Sequence, residues 1–117
     1  MSPSRLTSSA IRRRIVRPAG TVERSGETRY TIASLINDHA QLEAMHSSFH
    51  TGGFDDDDCE YMYIDNTVGE QVCAYSGLNA LLNEARGRHV ILCHQDVRLL
   101  SDARNELDMR LAELEDF

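Results

Sequence analysis

The chain has 117 residues, 41% of them hydrophobic, and a formal net charge of −7. That length holds one small domain at most, and no apolar run approaches the roughly 18 residues of a membrane span. The charge is uneven: residues 1–28 hold six of the basic residues and two of the acidic ones, so 29–117 carry six basic against 17 acidic residues. An acidic body repels phosphate backbones and excludes a nucleic-acid surface there. Three cysteines without a CxxC pair, and no apolar stretch of a secretory signal, point to reduced thiols and a cytoplasmic setting.

Residues 1–28 are rich in Ser, Arg, Pro and Gly, with no sustained period. They read as a disordered basic tail outside the fold, or as a transit peptide or a basic arm for an anionic surface. Order is expected from Arg29. The stretch "RYTIASLIND" is β-branched and aromatic with an apolar centre, which predicts a buried strand. Asn37 or Asp38 then caps a helix, "DHAQLEAMHSSFH", whose Leu42, Met45 and Phe49 share one face. "TGG" ends that helix, and the "DDDD" run reads as a solvated loop.

"CEYMYIDN" predicts a second strand ending at Asp65 and Asn66. "VCAYSGLNALLNEARG" predicts a helix with Val72, Tyr75, Leu78, Leu82 and Ala85 on its apolar stripe and Gly87 as its stop. "HVILCH" is the third strand. Ser101 opens a last helix, "SDARNELDMRLAELEDF", with Leu107, Leu111 and Leu114 facing inward. The order β-α-β-α-β-α implies right-handed parallel βαβ units: an α/β, Rossmann-like three-layer fold with the three strands ordered 2-1-3. Such a small layer has unpaired edges, so the chain is expected to be a fragment of a larger enzyme, a degenerate remnant, or one part of a homo-oligomer or complex whose partner completes the sheet.

All three strands end in polar residues: Asn37 and Asp38, Asp65 and Asn66, then His94, Gln95 and Asp96. In open parallel sheets, ligands bind beyond the carboxyl ends of the strands, where strand order reverses. Carboxylates, amides and an imidazole converging there suit a metal-chelated phosphate or a ribose. For a single strand, capping is the simpler explanation of such residues. His46 and His50, at i and i+4, have zinc-ligand spacing, but an exposed helix face explains them better without a Cys or HExxH partner.

The stretch "YIDN…AYSGLNALLNEARGRHVILCHQDVRLL" resembles the nucleotide-sugar half of GT-A-fold glycosyltransferases of the inverting, family-2 type, in particular a subgroup carrying "AKGDYVVFVHQDV". The resemblance covers about residues 29–110. It implies a truncated GT-A fold over 29–117 that binds a nucleotide-diphospho sugar with Mn²⁺ or Mg²⁺. By the same resemblance, Asp96 is the metal ligand, with His94 at the first position of the DxD-type motif. Asp65 contacts the nucleoside, Asn37 cradles the base, and Asn79 stands where the family has the asparagine of "YNEG"; Asn66 and Gln95 complete the nucleotide-binding set. The family's acceptor half and its general base have no counterpart here, so no catalytic residue is assigned and transfer by the chain alone is not expected. The alternative is a non-catalytic α/β binding or interaction module.

Overall fold

A computed structural model describes residues 6–18, 27–100 and 103–115. Helix α1 spans Ser8–Arg13 and strand β1 Ile15–Val16; β2 spans Tyr30–Ile36, α2 His39–Thr51, β3 Cys59–Asp65, α3 Ala74–Glu84, β4 His89–Leu92 and α4 Ala103–Glu115. The four strands form one mixed sheet in the order β1-β3-β2-β4. Strands β3 and β4 both pair with β2 in parallel, whereas β1 pairs with β3 antiparallel. The three expected strands are therefore present in the expected order, and β1 makes the sheet mixed. Among the described residues, no helix is long and apolar enough to cross a membrane.

Alternation along β2 divides the core, because successive side chains point to opposite faces. Tyr30, Ile32 and Ile36 join Leu42, Met45 and Phe49 of α2 on one face. Ala103, Leu107 and Leu111 of α4 pack against that cluster. Ala33 joins Met62 and Ile64 of β3, Ile11 of α1, and Ala80 and Leu81 of α3 on the other. The α2 stripe is the one the sequence predicts, and Asp38 is its N-cap, accepting the Gln41 N–H at 3.1 Å.

Three expectations are corrected. First, order does not begin at Arg29. Within the stretch assigned to a tail, residues 6–18 fold onto the sheet: Thr7 caps α1, Ile11 is buried, and Ile15 and Val16 pair with Ile64 and Tyr63. A six-residue helix and a two-residue strand show no period, and tertiary contacts hold them instead. Residues 1–5 and 19–26 of that stretch lie outside the described residues.

Second, the inward face of α3 is only partly the expected stripe: Val72 is buried and Leu78 and Ala85 pack against the core, but Tyr75 and Leu82 are exposed, and Gly77, Ala80 and Leu81 are the residues buried within the helix. Smallness decides this: a Cβ on Gly77 would already lie 3.2 Å from both Leu35 and Val72. Third, Gly87 is not the helix stop, since α3 ends at an extended Ala85. Gly87 instead passes against β2, where an added Cβ would sit 2.5 Å from the Thr31 nitrogen. The last helix follows expectation except that Leu114 is exposed. Its expected first residues, Ser101 and Asp102, and its last two lie outside the described residues.

Candidate functional site at the carboxyl ends of the strands

Chain order reverses between β2 and β4, because β3 lies on one side of β2 and β4 on the other. A cavity of about 160 Å³ opens there, lined by Leu35, Ile36, Asn37, Asn66, Gln71, His94 and Gln95. A second depression of about 130 Å³, mostly apolar, shares Leu35 and His94 with it and adds Ala74, Leu78, Leu92 and Cys93. Four of the seven predicted site residues, Asn37, Asn66, His94 and Gln95, thus come together.

Hydrogen bonds across the mouth of the cleft determine its shape. The Gln95 Oε1 accepts the N–H groups of Asn37 (2.9 Å) and Asp38 (3.1 Å), and its Nε2 donates to Asn37 Oδ1. The residue after β4 therefore ties down the start of α2. Arg98 holds the same turn, donating to the Gln95 carbonyl at 2.9 Å and to Gln41 at 2.6 Å. Asn66 is buried and closes the loop after β3 on itself: Nδ2 donates to Val72 O at 2.9 Å, and Oδ1 accepts Val72 N–H at 3.0 Å.

Asp65 stands at the end of β3, beside the cleft. One carboxylate oxygen accepts Thr67 N–H (2.7 Å) and Oγ1–H (2.6 Å), and the other meets His39 Nε2 at 2.7 Å. Burial pushes this carboxyl up, but the hydrogen bonds from Thr67 and His39 outweigh it and hold it below its usual value. Asp96 is exposed in the turn after β4, next to Gln95. Among the described residues, no hydrogen bond or ion pair engages its carboxylate, and Asp96 lines neither depression.

Among the described residues, no three His, Cys, Asp or Glu side chains converge as a ligand set. A hard divalent ion at His94 and Asp96 would therefore draw its remaining ligands from water or from a bound diphosphate, as such ions commonly do. His46 and His50 stand edge-on to the Tyr61 ring, with centroids 4.7 and 4.9 Å away. Burial, helped by the nearby His50, pushes the His46 pKa down to about 4, so this half-buried ring packs neutral against Tyr61 and does not stand on a fully exposed face.

Asn79 is not at the cleft. It lines an open groove of about 800 Å³ between α1 and α3, with Ile11, Arg12, Ser76 and Asn83 among its neighbours. That groove lies away from the strand ends, so its size does not make it the better candidate. Sequence reasoning missed His39, Gln71 and Arg14. The last of these belongs to the supposed tail, yet donates to the Asp65 carbonyl at the end of β3 and to the Val68 and Glu70 carbonyls of the loop after it. Nothing local marks any of the three.

The molecule is thus an α/β protein with a polar cleft where its parallel strands end and their order reverses. No family model matches the chain. Over 87 residues, 74% of this chain, it is 32% identical to a protein of Fuscovulum blasticum named ATP synthase subunits region ORF 6. The matched part is 35% of that relative, so this chain spans about a third of its length.

Proposed function

We propose that the chain is a Rossmann-like, GT-A-type nucleotide-binding unit of a glycosyltransferase-like protein, which takes a nucleotide-diphospho sugar together with Mn²⁺ or Mg²⁺. The observation that supports this best is the meeting of Asn37, His94 and Gln95 between β2 and β4, at the point where strand order reverses. Asp96 lines neither depression, but it follows Gln95 directly in the chain, two residues after His94, and its carboxylate has the charge and hardness a divalent ion needs. Such an ion, when bound, offsets the charge of a leaving diphosphate. Asp65, kept ionised by Thr67 and His39, would accept a ribose hydroxyl in place of one of these partners. Asn79 has no part in this reading, because it lies in the α1–α3 groove. Each depression is smaller than the roughly 300 Å³ of an ordinary ligand pocket, so a nucleotide would lie across both and project into solvent.

A second reading, a non-catalytic interaction module, is favoured by one observation. The polar groups of Asn66 and Gln95 are already engaged within the protein. Calorimetry with a panel of nucleotide sugars, with and without Mn²⁺, separates the two. Binding that depends on Mn²⁺, and that in Asp96→Asn loses this dependence and weakens by about 1–3 kcal/mol, supports the first. Absence of binding at millimolar ligand removes it in favour of the second.

A further inference from the structure

We propose that α1 and β1 form a clamp on the loop 66–71 at the edge of the cleft, with Arg14 as the positioning residue. The Arg14 guanidinium donates to three carbonyls of this loop and its neck: Glu70 O at 2.9 Å, Asp65 O at 3.0 Å and Val68 O at 3.1 Å. A planar fork with five N–H groups suits such a bundle of acceptors, and a lysine ammonium does not. Arg14 sits between α1 and β1, so its place is determined from both sides. Ile11 is buried against α3, and Ile15 is paired with Ile64 at the end of β3.

The loop has little else to hold its outer part. Val68 is 67% exposed, Gly69 takes a φ of +72°, and Glu70 is exposed. The neck is closed by Thr67 on Asp65 and by Asn66 on Val72. A segment with few buried apolar contacts opens at low free-energy cost, so a charged donor shared by three carbonyls decides its shape. Gln71 and Asn66, at the two ends of that segment, both line the cleft, and Gln71 donates to the Asn66 carbonyl at 2.8 Å. The clamp therefore sets the wall against which a ligand would lie. This last consequence rests on the nucleotide-binding reading of the cleft, whereas the ordering of the loop does not.

Hydrogen exchange read by mass spectrometry on the full chain tests the clamp. In Arg14→Met, the amides of Thr67 and Val72, protected by Asp65 and Asn66, should exchange about tenfold faster, the scale of one hydrogen bond to a charged group. The amides of β2 should keep their protection. Arg14→Lys, which can reach fewer carbonyls, should give a smaller rise, and it carries the test if Arg14→Met does not fold. Unchanged loop exchange in a folded variant overturns the proposal. Titration with uridine diphosphate and Mn²⁺ then reads the wall: about fivefold weaker binding by Arg14→Met supports the clamp's effect on the ligand, and equal affinity overturns that effect. A wild-type chain that binds no uridine diphosphate refutes the uridine form of the nucleotide reading alone, and loop exchange still decides the clamp.

Discussion

Replacing Arg17 by methionine should cost the fold about 3 kcal/mol. Glu60 lies in β3 with its side chain 1% exposed, facing the α1–α3 side of the sheet. Its Oε1 meets Arg17 Nη1 at 3.0 Å, and its Oε2 accepts Thr31 Oγ1–H and Arg86 N–H, each at 2.6 Å. Arg17 Nη2 also donates to the Glu84 carbonyl at the end of α3, at 2.8 Å. Removing one partner of a buried ion pair costs about 3–5 kcal/mol, because the remaining charge is left uncompensated. The Arg17 side chain is 18% exposed, so water can reach part of the vacated space, which places the expected loss at the lower end.

Against a total stability of about 5–15 kcal/mol, that loss is large. It corresponds to a fall in Tm of about 10–20 °C for a domain of this size. Urea unfolding followed by circular dichroism measures it, with an unchanged m-value showing that the compactness of the end states is the same. Arg17→Met combined with Glu60→Gln should recover more than about 1 kcal/mol, since the orphaned charge is then gone. A loss below about 1 kcal/mol in Arg17→Met would place the pair among exposed ones. It would also refute the view that residues 6–18 are an integral part of the domain.

Gly87→Ala should destabilise by about 1–3 kcal/mol, because the new Cβ would meet the Thr31 backbone at 2.5 Å; a Tm within 2 °C of wild type (about 0.5 kcal/mol or less) would show that β4 can shift to make room. His46 contributes a pH dependence. Its folded pKa of about 4 lies below the ordinary 6.5, so the folded state favours the neutral ring. Its contribution is whole above pH 6.5 and is lost as pH falls from there toward 4, by about 1–2 kcal/mol after allowance for solvent screening. The groups facing it are His50, Tyr61 and Tyr63. Stability curves of wild type and His46→Leu that run parallel between pH 7 and pH 4 would exclude this contribution. Asp38→Ala should cost about 1 kcal/mol through loss of the α2 cap, read as a fall in Tm without change in the exchange of β4.

The alternation of β-branched runs with amphipathic helices was enough to place β2, α2, β3, α3 and β4 and to order the three parallel strands. Each of those elements is long enough to carry a period, and right-handed crossovers leave few arrangements. Capping chemistry was local too: the sequence narrowed the α2 cap to Asn37 or Asp38, and the structure selects Asp38. The polar residues at the strand ends were legible for the same reason, and four of them do meet at the cleft. Tertiary structure alone decided the rest. That Gly77 faces inward while Tyr75 and Leu82 face out depends on the close approach of Gly77 to Leu35, which the sequence does not show. Gly87 looks like a helix stop until Thr31 is seen against it. The arginines of residues 6–18 look like those of any basic tail, because the groups that engage them, Glu60, the Glu84 carbonyl and the loop after β3, are more than 40 residues away in the chain. Short elements without a period draw their stability from such distant partners, and only the folded chain brings those partners within reach.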